Sequence, residues 1–346
     1  MPVGSNAKFG YASSVGVSEE TTYGTKVDSF KYVEFNSESM KREIEEKKLE
    51  SINGTRDFIK RLLGNETVSG SLDVHLNPAE DSILRIVKQA MGGTVSSAKI
   101  TTTADDMFLH TFAVGDMELN DSSVSSAAVK GLSLQIDKGG IVWDFLGCRV
   151  NQLSIKGEVG SPIMMSAEFI GKTASITTST PTVVFSNILP CNFNGVTFQT
   201  GDSLTNLTTT VVQSFEFSIN NNLAADAGRE LGSRVIGILP PVRREVKLKV
   251  GMRFDTTTSH NVFLAATVTA IRITLDSSQT ITSASVTSNQ TYNMIINLPR
   301  CYYNSNMPEV GGPDVLTHEL DISALSQNTT TAYAVQITAQ NATSGY

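Results

Sequence analysis

Two stretches of the chain, 178 positions apart, alternate apolar residues with residues of other types. The apolar positions are Val68, Leu72, Val74 and Leu76 in the first stretch and Val246, Val250, Met252 and Phe254 in the second. A period of two residues is typical of a strand with one face in a core and the other in water. The pattern therefore predicts the same half-buried strand twice.

A helix is predicted directly after the first strand, in the segment NPAEDSILRIVKQAMGG. Asn77 is a favourable N-cap, Pro78 fits the first helical position, and Gly92 with Gly93 ends the helix. The apolar stripe of this helix comprises Ile83, Leu84, Ile86, Val87, Ala90 and Met91. The shorter segment SHNVFLAAT, at 259–267, is the predicted counterpart after the second strand.

Further segments recur in the same order in both halves of the chain. GLSLQID matches AIRITLD, and FLGCRVNQL matches LPRCYYNSN, which places Cys148 opposite Cys301. Related phrases follow, EVGSP at 158–162 and EVGGP at 309–313, where Gly160 turns the chain. One agreement could arise by chance, but an ordered series would not, so we interpret the chain as internally duplicated.

The duplication predicts the organisation of the chain. We expect mainly β structure in two antiparallel β-sandwich or barrel domains, each with one packed short helix and a long inter-strand loop. The predicted parts are an N-terminal arm at 1–30, a first domain at 31–173, a hairpin-like linker at 174–210 and a second domain at 211–346. Asn194-Gly195 is a turn signal in the linker, and TAYAVQITAQ is an additional strand near the end of the chain.

Composition and charge narrow the range of functions. The 346 residues carry a net charge of -7, and only 18% of them are charged. A protein that grips nucleic acid has the opposite sign, because phosphates require Lys and Arg. No segment is apolar for long enough to span a membrane, and the first residues lack the apolar core of a signal peptide, so we expect folding in a cytoplasm.

Residues that could support catalysis or bind a metal are scattered along the chain. His75, His110, His260 and His318 have no second ligand at metal-binding spacing. The three cysteines lie far apart, which argues against a disulfide framework. Phosphate-loop, dinucleotide and nucleophile-elbow fingerprints are absent. The sequence therefore predicts neither an enzyme nor a cofactor or metal site.

One stretch, KREIEEKKLE at 41–50, concentrates charge in a chain that has little of it. A solvated helix with Glu–Lys pairs is one interpretation, but its apolar residues form a poor stripe and Asn53-Gly54 interrupts it. A basic nucleic-acid patch is excluded because the acidic residues nearly cancel the basic ones. We favour an interaction loop that becomes ordered on assembly, since its counterpart at 220–241 is also loop-like and long loops in compact domains usually serve a partner.

Several of these segments, taken together, resemble a known family. They are EETTYGTKVDSFKYVEFNSESMK, INGTRDF, VSGSLDVHL, GCRVNQLSIKGEVG, FSINNNL, LGSR and RREVKLKV. In this order they resemble the tail tube (major tail) proteins of long-tailed bacteriophages, over nearly the whole chain.

The resemblance implies a structural virion protein. Sheets of neighbouring subunits in this family join into a barrel around a channel, the rings stack into a tube, and genome DNA leaves through the lumen. Simpler members form six-fold rings from one domain, so a duplicated chain could form a trimer with pseudo-six-fold symmetry. The partners implied are other copies of the chain, the tape measure, tail terminator and tail tip proteins, and DNA in transit, with assembly in the host cytoplasm.

A long loop of this family reaches the adjoining ring, which gives a role to the charged stretch. The resemblance thus predicts an inter-ring contact formed by Lys41, Arg42, Glu43, Glu45, Glu46, Lys47, Lys48, Arg56, Arg229 and Arg234. Lysines and Arg253 on the polar side of 245–253 leave two possibilities open. That side faces away from the lumen, or the lumen is mixed in charge.

Two other functions fit parts of the sequence. A tail-tip or baseplate component would form a single ring without polymerising. A β-sandwich carbohydrate-binding module or lysozyme-like tail enzyme would need exposed aromatic clusters or two carboxylates across a cleft, and aromatic residues make up just 7% of the chain.

Overall fold

The structure is a computed structural model that describes residues 8, 10–52, 54–100, 107–115, 131–177, 181–254, 264–281, 290–305, 315–326 and 333–346. Antiparallel strands dominate these residues, so the predicted mainly β fold is confirmed. One α-helix, α1 (Asp81–Met91), lies wholly within them. Short 3₁₀ helices occur at Gly10–Ala12, Phe193–Gly195 and Asp226–Gly228.

Nineteen strands are formed within the described residues. Those of the first half are β1 (Ser14–Glu19), β2 (Lys31–Val33), β3 (Ser37–Glu38), β4 (Lys41–Lys48), β5 (Arg61–His75), β6 (Gly92–Lys99), β7 (Phe108–Val114), β8 (Leu132–Asp137), β9 (Val142–Glu158), β10 (Met164–Gly171) and β11 (Thr173–Thr177). Those of the second half are β12 (Val196–Ser203), β13 (Asn206–Thr209), β14 (Ser214–Asn220), β15 (Glu245–Arg253), β16 (Thr269–Thr280), β17 (Thr291–Ser305), β18 (Thr317–Ala324) and β19 (Gln336–Asn341).

The central feature is a sheet that runs through both halves in the order β3/β4–β5–β10–β9–β14–β15–β18–β17, which we call the long sheet. Its strands alternate buried apolar residues with polar ones, as the sequence predicted. The buried face includes Val68, Leu72, Val74, Leu153, Ile155, Met165, Ala167, Phe169, Phe215, Phe217, Ile219, Val246, Leu248, Val250, Leu320 and Ile322. Each Val, Leu, Ile, Phe or Met side chain among them contributes about 1.5–3 kcal/mol to stability by leaving water.

A second layer of strands covers the buried face of the long sheet. In the first half it has the order β2–β1–β8–β9–β11, and in the second half β13–β12–β16–β17–β19. Strand β9 belongs to both layers, because Val142–Cys148 pair with β8 and Arg149–Lys156 pair with β10. Gly147, with φ of 64°, lies at this change of layer, and glycine adopts this left-handed conformation without a steric penalty.

The two halves repeat one pattern of strand pairing. Each partner of β9 in the first half, β8, β10 and β11, has a counterpart beside β17, namely β16, β18 and β19. The bulges recur as well. The register of β9 with β10 skips Asn151, and that of β17 with β18 skips Asn304. A further register shift separates Leu132 from Leu134 and, in the second half, Thr269 from Ile271.

The halves join at two seams. In the long sheet β9 pairs with β14, and in the outer layer β19 of the second half pairs with β7 of the first half. The β6–β7 hairpin follows α1 and belongs to the first half. One continuous apolar core runs through both halves.

Helix α1 is confirmed, with the predicted apolar stripe fully buried. It begins later than the sequence predicted, because Glu80 is the N-cap residue and the Asn77 side chain instead accepts a hydrogen bond from the Ala79 backbone N–H at 3.1 Å. Gly92 ends it in the left-handed conformation, at φ 70°. Residues 259–263 of the predicted second helix lie outside the described residues, as does EVGGP at 309–313.

Two predictions about turns have different outcomes. Gly160 does turn the chain between β9 and β10, with φ of 88°. The prediction of a hairpin turn at Asn194-Gly195 is wrong, since these residues belong to a 3₁₀ helix that leads into β12. The hairpin of the linker segment instead forms between β12 and β13, where Ser203 pairs with Asn206.

Candidate assembly surfaces

The charged stretch forms a hairpin that projects from the edge of the long sheet. Strand β4 pairs with the first part of β5 as far as Lys48 and Arg61, and every residue of β4 is exposed. We call residues 41–67 the projecting hairpin. The prediction of a loop is therefore wrong, and so is the alternative of a helix, because residues 41–48 are extended and pair with β5 along nearly their whole length.

Exposed apolar side chains cover the projecting hairpin. Phe58 and Ile59, near its tip, keep 59% and 60% of their surface in water. The other exposed apolar residues are Ile44, Leu49, Ile52, Leu62 and Leu63. Concentrated apolar exposure of this kind marks an interaction surface. The sequence pattern was judged as a helix, in which the apolar residues of this stretch form a poor stripe, so the surface that they form on a hairpin was missed.

Most of the predicted charged residues of β4 form local ion pairs along the hairpin, one of them with Arg61 of β5. Lys41 lies 2.7 Å from Glu43, Lys47 lies 3.6 Å from Glu45, and Arg61 lies 3.6 Å from Glu46. Exposed pairs of this kind contribute little to stability. Their position on the hairpin makes them available to a partner.

Glu66 anchors the base of the projecting hairpin. Its buried carboxylate accepts hydrogen bonds from the Arg42 guanidinium at 2.6 Å and from the Thr173 hydroxyl at 3.0 Å. The Arg42 guanidinium also donates to the Ala174 carbonyl at 3.1 Å. Nothing in the sequence pattern distinguished Glu66 from the other acidic residues.

A loop from the second half packs against this base. The loop connects β14 to β15, and we call residues 221–244 the tucked loop. Arg229 donates to the Glu66 carbonyl and to the Thr67 hydroxyl, both at 3.1 Å. Arg234 donates from Nε to the Gly64 carbonyl at 3.1 Å, and its own carbonyl accepts from the Glu66 N–H at 2.8 Å.

The structure therefore separates the predicted contact residues into two groups. Arg42, Arg229 and Arg234 meet around β5 and make contacts within the chain. Lys47 and Lys48 lie on the outer part of the hairpin, and Arg56 lies in the connection between its strands. Ile236 and Leu239 of the tucked loop are buried against Tyr23.

The polar face of the long sheet is mixed in charge. Outside the projecting hairpin it carries Asp73, Glu158, Glu168, Glu216, Glu245, Glu319 and Asp321 against Lys156, Lys247, Lys249 and Arg253. Seven acidic residues thus stand against these four basic ones, while a fifth basic residue on the same side, Arg149 opposite Ile170, is fully buried against Tyr23. Lys156 pairs with Glu216 at 3.0 Å across the β9–β14 seam, and Lys247 lowers the pKa of Glu245 by a hydrogen bond at 2.6 Å. The lysines of β15 are accordingly offset by neighbouring carboxylates.

A cleft lies at the opposite end of the long sheet from the projecting hairpin. Strand β5 runs from the hairpin to His75, which pairs with Met164, and this end of the sheet continues through Glu158 to Ser214. The cleft has a volume of about 260 Å³ and is lined by apolar residues of both halves, including Val159, Ile163, Phe193, Phe198, Val211 and Phe215. We call it the junction cleft.

The model of the phage tail tube protein family matches residues 10–324 of the chain. The chain belongs to this family. The resemblance noted in the sequence is thereby confirmed, and membership makes the protein a structural component of a bacteriophage virion tail. A search of curated proteins found no match. No helix within the described residues is long and apolar enough to cross a membrane.

Proposed function

We propose that this tail tube protein closes into rings of three chains, and that the rings stack into the conduit through which genome DNA is ejected. Family membership supports the tube, and the repeated pattern of strand pairing supports the stoichiometry. If each half supplies one-sixth of a ring, three chains complete it.

The internal duplication is part of this proposal. Two halves that share a pairing order and also share the positions of their β-bulges are best explained as two copies of one domain, because bulges are specific features that families retain. The pairing order further suggests that β1 corresponds to β12 and β2 to β13. We accordingly propose units that begin at β1 and β12, so that the predicted N-terminal arm and linker each supply the first strands of a domain.

The edges of the long sheet give the proposed contact between neighbouring chains. Strands β3 and β4 form one edge and β17 forms the other, and within the described residues neither edge has a second partner in the long sheet. Inside the chain, β14 covers the equivalent edge of β9, with Asn220 opposite Gln152. In the repeated pairing pattern β4 takes the place of β14 and β17 takes the place of β9. The same register between chains therefore places Glu43 opposite Ser305 of the next chain. Pairing of these edges removes an aggregation hazard and, with eight strands a chain, yields a barrel of 24.

The polar face of the long sheet then lines the lumen. Its slight excess of carboxylates, set among many Ser and Thr residues, repels DNA weakly and leaves few cations to hold phosphates. Of the two possibilities left open by the sequence, we favour a lumen of mixed charge that is negative overall.

Electron microscopy of the purified chain tests the proposal. We expect hollow tubes of uniform width, with three chains in each ring after symmetry analysis. Single rings that never stack would favour the tail-tip alternative. Rings of six chains would overturn the three-chain stoichiometry, and dispersed monomers at all salt and protein concentrations would overturn the tube itself.

A further inference from the structure

We propose that the tip of the projecting hairpin of one chain seats in the junction cleft of a chain in the adjacent ring. This inference rests on the proposed tube, and it names both surfaces of the contact between rings. The hairpin and the cleft lie at opposite ends of the long sheet. Rings stacked head to tail therefore bring the hairpins of one ring to the cleft end of the next.

The two surfaces match in their apolar character. The hairpin presents Phe58 and Ile59, and the cleft presents Val159 and Val211, which keep 64% and 72% of their surface in water. Phe193 is also exposed at the cleft and gives an aromatic wall. Contact between the two surfaces removes from water the apolar groups that each leaves exposed in the single chain.

Their charges are complementary as well. Residues 47–61 of the hairpin carry five basic residues and two acidic ones. The charged residue that lines the junction cleft is Glu158, and Glu216 and Glu319 line an adjoining hollow that also contains Lys156 and Lys249. A basic tip thus approaches a weakly acidic end of the sheet, which favours this orientation of stacking over the reverse.

Each chain supplies as many hairpins as junction clefts. Each chain has one projecting hairpin, because the tucked loop at the corresponding place in the second half is folded against the chain itself. Each chain also has one junction cleft, at its own β9–β14 seam. Every hairpin in a ring of three therefore has one cleft in the next ring.

A pair of introduced cysteines tests the contact. The natural residues Cys148, Cys191 and Cys301 are buried, so introduced surface thiols are the reactive ones. The test chain carries Ile59→Cys and Val211→Cys. The control chain carries Ile59→Cys and Val242→Cys, because Val242 is 62% exposed but lies in the tucked loop, at the hairpin end of the sheet.

After mild oxidation of assembled tubes, we expect disulfide-linked chains from the test pair and none from the control pair or from dispersed protein. Crosslinks confined to the control pair would mean that the hairpin packs against a neighbour in its own ring, which overturns the inference. Tubes without crosslinks in either pair would overturn it too. In both cases the proposed tube would stand, whereas wild-type protein that forms no tubes would defeat the proposed function.

A second pair of variants covers the case in which the cysteine chains fail to assemble. Val211→Asp places a charge in the junction cleft, and Val242→Asp places one at a similarly exposed position away from it. We expect single rings from the first variant and tubes from the second. Tubes of normal length from the Val211→Asp chain would overturn the inference.

Discussion

The projecting hairpin and the tucked loop lie at matching places in the pairing pattern, yet the hairpin extends into solvent and the tucked loop packs against its own chain. The hairpin comprises β4, the first part of β5 and the connection between them, and the loop connects β14 to β15. Gly228, Gly232 and Gly237 interrupt the loop, and Pro240-Pro241 cannot donate to a ladder. The hairpin contains no proline, and β4 contains no glycine. Two segments at matching places in the pairing pattern thus differ: the tucked loop stabilises its own chain, whereas the hairpin leaves apolar side chains exposed to a partner.

The largest expected effect is on the free energy of unfolding, which should depend on the tucked loop and not on the hairpin. Ile236→Ala should lower the free energy of unfolding by about 2–4 kcal/mol, because Ile236 is fully buried in the tucked loop. Urea unfolding of dispersed protein measures the change. Ile59→Ala on the hairpin is the matched control and should leave the urea midpoint unchanged while raising the protein concentration needed for tubes. Equal losses of stability would show that the hairpin also packs against its own chain.

The next effect concerns the point where the two regions meet. Glu66→Ala should lower the free energy of unfolding by about 1–3 kcal/mol, because it removes the buried carboxylate that accepts hydrogen bonds from the Arg42 guanidinium and the Thr173 hydroxyl. Glu46→Ala, which removes an exposed partner of Arg61, is the control and should not change the urea midpoint. If both variants unfolded at the same midpoint, Glu66 would not anchor the hairpin.

Reversal of the charges on the hairpin should affect assembly alone. Lys47→Glu with Lys48→Glu turns the basic tip acidic, so we expect shorter tubes or single rings in electron micrographs at unchanged stability. Arg243→Glu with Lys247→Glu is a control with the same charge change at exposed positions outside both the projecting hairpin and the junction cleft. Tubes of normal length from the hairpin variant would show that these two lysines do not contribute to stacking.

The smallest expected effect is a pH dependence of the free energy of unfolding, which arises from His110. His110 is buried between Ser97 and Asn341, and burial lowers its pKa below the ordinary value of 6.5. Because the unfolded chain then binds the proton more readily, stability is complete above pH 6.5 and falls as the pH drops from 6.5 toward the folded-state pKa. Urea midpoints measured across this window should show the decline, and His110→Gln should flatten it. An unchanged slope in the variant would assign the decline to other groups.

The sequence predicted elements whose patterns are purely local. Helix α1 follows from its apolar stripe, and β5 and β15 follow from their alternation. The projecting hairpin could not be predicted in this way, because β4 is exposed along its whole length and so carries no apolar period. Asn53-Gly54 is a dipeptide typical of hairpin turns, and we interpreted it as an interruption of a helix.

The candidate surfaces were harder to predict than the fold, because they depend on contacts between distant segments. Arg229 and Arg234 were expected to reach another ring, yet they bind the backbone of β5, more than 160 positions away. Glu66 likewise anchors the hairpin through side chains that are distant in sequence, Arg42 and Thr173. The junction cleft is formed by residues of both halves, so no segment alone could indicate it.

The seam between β7 and β19 also constrains the order of folding. Phe112 pairs with Ile337, so nearly two-thirds of the chain separates the two strands. Pairings of such high contact order form slowly, because the entropy of closing the intervening chain must be offset first. Until β19 pairs with β7, the outer edge of β7 has no strand partner. A nascent chain is therefore most exposed to wrong strand partners just before its last strand is added.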